Sequence, residues 1–218
     1  MNAGGRLRVI GLGCLGLAAP PAPASPAVIA QLEAGVWTAV DGGGTRVREY
    51  PLTPLGRARY EGFRLDRDPL LRCLPPGMPR GFAARSPMDF SFDGATLTIR
   101  YETMDVVRTI HMQGAPPPAD APHSPNGYAV GYWQGDTLVI ETSHLSAGQT
   151  NRDGIPKSER MTIRTTYDVQ PREDGMALRI AMTLTDPAIF TEPVTMIERF
   201  EYQPGWELLP FECQVTVY

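Results

Sequence analysis

The chain has 218 residues, 42% of them hydrophobic and 20% charged, with a net charge of −4. That is enough apolar content for one core of ordinary domain size, and it excludes a disordered chain. No basic patch or stripe suggests nucleic acid as a partner. Lys157 is the only lysine, so arginine carries almost all of the positive charge. With abundant Ala, Gly and Pro, that bias reads as genomic composition and not as anion recognition.

The N-terminus reads as an export signal. Arg6 and Arg8 precede an apolar run, Val9 to Ala19, and then the small residues Ala22-Pro23-Ala24-Ser25. A charged start, a short apolar core and an A-x-A site define a cleaved leader over residues 1–24. The run is shorter than the ~20 residues that a membrane-spanning helix needs. Cys14 raises the alternative of a lipoprotein, but it stands in mid-run and not at its end. The mature chain, 25–218, is then a single periplasmic or secreted domain. It keeps two cysteines, Cys73 and Cys213, which are expected to pair in an oxidising compartment. So long a loop would contribute on the order of 4 kcal/mol in the entropic account. The alternative is two buried thiols.

In chain order, Thr53 followed by Pro54 predicts the cap and first turn of one short helix. The stretch from Pro51 to Pro87 is otherwise irregular, and Pro75, Pro76, Gly77 and Pro79 punctuate it. From Met88 the alternation of a strand takes over. Strands are expected over Met88–Phe92, Thr96–Glu102 and Val106–Met112, the first two joined by Asp93-Gly94. A Pro-rich loop, Gly114–Asn126, follows. Further strands are expected over Gly127–Trp133, Thr137–Ser143, Ser158–Val169, Ala177–Thr185, Val194–Gln203 and Trp206–Val217. About nine strands with short turns imply an all-β antiparallel meander. Such a meander hides its edges by closing into a lipocalin-like barrel or, alternatively, by folding into a β-sandwich. A barrel of ~8 strands can enclose one small ligand.

Strand parity singles out candidate residues. Arg108 interrupts the apolar row Met104, Val106, Ile110 and Met112. Glu159 shares parity with Met161, Ile163 and Tyr167, and Glu198 with Val194, Met196, Phe200 and Tyr202. Charges turned inward must be paired or shift their pKa. They are either a structural ion pair or a site in which Arg108 orients an anionic or phenolic oxygen and Glu159 acts as general base. Tyr128 and Tyr132 share one face and would stack on an aromatic ligand or fill the core. No phosphate loop, dinucleotide fingerprint, nucleophile elbow or paired C-x-x-C is present, so no cofactor is implied. Of the three histidines, only His111 and His144 with a carboxylate offer a metal set, and their spacing does not favour it.

Several motifs resemble a largely uncharacterised family of exported bacterial β proteins. They are Cys-x-Pro-Pro-Gly-x-Pro-Arg (Cys73 to Arg80), a long Gly-Asp-Thr-Leu-Val stretch (Gly127 to Thr142) and a Ser-Glu pair (Ser158-Glu159). An Asp-Pro element (Asp186 to Pro193) and a closing Glu212-Cys213 complete the set. The resemblance covers most of the mature chain and implies export and a shared fold. The chain departs from it where the family carries Asp, Arg, two His, Arg and Glu. Here those positions are Gln113, Ala115, Pro117, Tyr128, Tyr132 and Gln134. Any chemistry resting on those positions is lost or rewired in this chain.

Three functions follow as expectations. The first is a cofactor-independent lyase or isomerase acting on a small, largely apolar or aromatic molecule. The second is a periplasmic binding protein for the same class of ligand, without turnover. The third is a partner-binding module using the Gly114–Asn126 loop.

Overall fold

A computed structural model describes residues 25–215, apart from Arg46, Ala84, Gln113, Ala115 and Asp174. The expected leader, residues 1–24 with Cys14, lies outside the described residues. Three short helices, α1 (Pro26–Leu32), α2 (Pro54–Glu61) and α3 (Arg80–Ala83), accompany the strands. The strands are β1 (Val36–Ala39), β2 (Met88–Phe92), β3 (Thr96–Tyr101), β4 (Val106–Met112), β5 (Tyr128–Gln134) and β6 (Thr137–Ser143). They continue with β7 (Gly148–Gln149), β8 (Pro156–Lys157), β9 (Thr162–Arg172), β10 (Gly175–Thr185) and β11 (Val194–Gln203). No described helix is long and apolar enough to cross a membrane.

The main sheet runs β1-β11-β10-β9-β6-β5-β4-β3-β2 and closes on itself, with Trp37 of β1 opposite Met88 of β2. The fold is thus an all-β, lipocalin-like closed barrel, not a sandwich. β7 and β8 form a separate two-stranded ribbon. Local chemistry explains the turns. Asp93 Oδ1 accepts from the Ala95 and Thr96 amides at 3.0 and 2.7 Å, and Gly94 supplies a positive φ. Thr53 caps α2 as expected, its hydroxyl accepting from the Gly56 amide at 3.0 Å.

The barrel departs from the expected meander in three places. Residues 206–215 form no strand, and the ninth barrel strand is β1, upstream of the irregular stretch. Pro210 has no N–H to offer a ladder, and its neighbours bond elsewhere. The Leu209 amide donates to Glu102 Oε2 at 3.0 Å and the Phe211 amide to Asp105 Oδ1 at 3.1 Å. Secondly, β4 and β5 pair in parallel, His111 opposite Val130 and Met112 opposite Gly131. The long Pro-rich loop between them makes this possible where a two-residue turn would not. At that seam a Cβ on Gly131 would lie 2.5 Å from Met112 Sδ, so the approach requires glycine. Thirdly, β9 starts at Thr162 and not at Ser158, because a turn closes first, with the Met161 amide donating to the Ser158 carbonyl.

The core fills the barrel. Trp37, Met88, Ile99, Ile110, Leu138, Ile140, Leu178 and Ile180 are fully buried. The α1 helix adds Val28 and Leu32 to it, and Trp37 Nε1 donates to the Leu32 carbonyl at 3.0 Å. Cys73 and Cys213 form a disulfide with Cα atoms 5.8 Å apart, tying the C-terminal segment to the loop before α3.

Candidate functional site

On β4, Arg108, Ile110 and Met112 are buried while Val107 and Thr109 are exposed. Arg108 therefore points into the barrel, as its parity predicts, and is only 2% exposed. Its Nη2 donates to Thr142 Oγ1 on β6. Its Nε and Nη1 are buried and meet no acceptor at full hydrogen-bond geometry, while the Tyr101 and Tyr167 hydroxyls lie close enough to interact with the guanidinium. No carboxylate pairs with it among the described residues.

Three hydroxyls are buried in the barrel core with it, Tyr101 on β3 and Thr165 and Tyr167 on β9, and the two phenols interact with each other and with the guanidinium. Tyr167 meets Phe90 edge-on at 5.9 Å, which fixes its ring. Burial raises the pKa of both phenols, and the Arg108 charge opposes the rise without cancelling it. Both tyrosines are therefore neutral donors and cannot serve as counter-ions. A guanidinium stays charged in any protein site. The barrel thus holds one buried positive charge among neutral hydroxyls, an arrangement that costs free energy until an anion meets it. Chemically, it can bind an oxyanion through two N–H groups and polarise it with phenolic O–H groups.

The remaining residues singled out from the sequence do not join it. Glu159 is exposed, because the turn that delays β9 takes it out of strand parity. It cannot act as a base inside the barrel. Glu198 does face inward on β11, but Arg85 Nε engages it at 3.3 Å. Tyr128 and Tyr132 lie on the outer face of β5, whose inward residues are Ala129, Gly131 and Trp133. Tyr128 stacks on His111 with centroids 4.5 Å apart, and Tyr132 Oη donates to Glu141 Oε1 at 3.0 Å. His144 Nδ1 lies 2.9 Å from Ser143 Oγ. Among the described residues, no group of three or more His, Cys, Asp or Glu is placed to hold a metal ion.

Sequence reasoning missed Thr142 and Thr165 and did not single out Tyr101 or Tyr167 as polar members of the site. Parity was the available signal, since Tyr101 continues the row Leu97–Ile99 and Thr165 stands between Ile163 and Tyr167. A groove of about 510 Å³ lies where the Pro-rich loop meets the outer rim of β5, β6 and β9. Pro116, Glu141 and Arg164 line it, and so does Thr142, the partner of Arg108. Pro117 lines the groove, Tyr128 and Tyr132 are on the outer face, and Gln134 accepts from Arg164. Gln113 and Ala115 lie outside the described residues.

Other motif residues have structural roles. Asp186 accepts from the Ser158 amide and hydroxyl, both at 2.7 Å. Arg80 makes a buried bidentate pair with Asp68 at 3.0 and 2.6 Å. No protein-family model matches the chain, and comparison with curated proteins finds no match.

Proposed function

We propose that the protein is an exported small-molecule binding protein. Its ligand is a largely apolar or aromatic molecule that lies in the groove of about 510 Å³ beside Thr142, with its carboxylate or phenolate directed past Thr142 towards Arg108. The observation that carries this reading is the buried Arg108, which among the described residues meets neutral hydroxyls and no carboxylate. A ligand oxyanion supplies the missing charge, and Tyr101 and Tyr167 add donors to it. The disulfide supports export, since such bonds persist in oxidising compartments. Binding is favoured over a lyase or isomerase because proton abstraction needs a base. Glu159 is on the surface, and both buried phenols are held protonated.

The test is calorimetry with aromatic carboxylic acids and phenols beside their methyl esters and ethers. The acids and phenols should bind and the masked forms should not. Arg108→Met should weaken binding ~10–100-fold, the worth of a charged hydrogen bond. Equal affinity for acid and ester would overturn the reading. Mass spectrometry of the same mixtures should show unchanged ligand, and product formation would replace binding with catalysis. Glu159→Gln should leave affinity unchanged.

A further inference from the structure

Lys157, the only lysine in the chain, lies on β8, outside the barrel sheet, and is 2% exposed. Its Nζ donates to the Met78 carbonyl at 2.6 Å. No carboxylate pairs with it among the described residues. It lines a pocket of about 270 Å³ together with Arg59, Arg64, Arg67 and Phe63, and among the described residues no acidic side chain takes part in the lining. Gly154 makes room for the Phe63 wall, because a Cβ there would fall 2.2 Å from the ring. Arg64 is ion-paired with Asp66, whose charge also acts on Arg67, while Arg59 makes no ion pair among the described residues. The pocket is therefore net positive, and Lys157 stands in its wall.

We infer that this pocket takes a small 2-oxo carboxylate, its carboxylate held by the arginines and its carbonyl carbon attacked by Lys157 Nζ to form an imine. The site is independent of the barrel interior. The lone pair of the neutral amine adds to the carbonyl carbon and gives a carbinolamine. Loss of that hydroxyl as water, with one proton gained, leaves a protonated imine, and no oxidant or reductant is consumed. The Met78 carbonyl accepts one N–H and so leaves the nitrogen lone pair free. Burial lowers the Lys157 pKa to about 8. About a tenth of the amine is then neutral at pH 7, against about three parts in ten thousand for an ordinary lysine.

The disulfide-bonded mature protein would be incubated with pyruvate and sodium cyanoborohydride, then mapped by peptide mass spectrometry. Only the α-amine competes with Lys157, and it serves as the internal reference. We expect saturable labelling of Lys157 by pyruvate and labelling at least ~10-fold slower by acetone, which lacks the carboxylate. The double variant Arg59→Gln/Arg67→Gln should slow pyruvate labelling to the acetone rate. Labelling confined to the α-amine would overturn the proposal. Equal rates with pyruvate and acetone would also overturn it, by showing a reactive amine without anion recognition.

Discussion

The two buried cations that pair with no carboxylate among the described residues differ in how they tolerate burial, and this separates their roles. The Arg108 site carries the desolvation cost of a buried guanidinium, which an apolar side chain would remove. Arg108→Met is accordingly expected to leave the barrel folded, with stability unchanged or raised by up to about 2 kcal/mol. Urea unfolding followed by circular dichroism checks this, and a large loss would show that the guanidinium holds the core together. Lys157 can shed its proton. Its folded pKa, about 8, lies below the ordinary 10.5. Below pH 8 both states are protonated and the native state bears the full cost. Between pH 8 and 10.5 only the unfolded state holds the proton, so stability rises with pH. The stability of the wild type relative to Lys157→Met should climb by roughly 3 kcal/mol from pH 7 to 10.5. The difference cancels the tyrosines, which titrate alike in both proteins.

Among the elements, β9 shows how one carboxylate sets where a strand begins. Asp186 accepts from the Ser158 amide and hydroxyl and from the Ala188 amide at 3.2 Å. These bonds hold the turn that ends before Thr162, and with it the parity that puts Ile163, Thr165 and Tyr167 inside. Asp186→Ala leaves buried donors unmet and should cost about 2–4 kcal/mol. Hydrogen exchange should quicken at the Thr162 end of β9 and stay slow towards Val169, opposite Leu178. Uniform quickening along β9 would show a global loss instead. The same turn explains why Glu159 was misplaced from the sequence. Alternation extrapolated back through Ser158 assumes a continuous strand, and the carboxylate that breaks it comes from 28 residues away.

For the whole molecule, closure depends on segments distant in the chain. The barrel is sealed by β1 between β11 and β2, while the C-terminal segment lies outside the ladder and is held by the disulfide to Cys73. That bond spans 140 residues, so removing it should cost about 4–5 kcal/mol in the chain-entropy account. Cys73→Ser/Cys213→Ser should lower the urea midpoint accordingly and keep the β signature in its absence. An unchanged midpoint would show that the barrel alone sets stability.

The alternating strands from Met88 to Gln203, the Thr53 cap and the inward turn of Arg108 were all legible in the sequence, because each rests on neighbours a few residues away. The pairing of Cys73 with Cys213 was also legible, since the expected cleaved leader removes Cys14 and leaves two cysteines with one partner each. Tertiary structure alone decided the rest. It chose β1 over the C-terminal segment as the ninth strand, and it paired β4 with β5 in parallel through a loop of free register. It turned Tyr128 and Tyr132 outward, because the inward parity of β5 belongs to Ala129, Gly131 and Trp133. It also set Lys157 among arginines from α2 and the loop after it. Parity tells which residues share a face, but only the contacts of distant strands tell which face is inside.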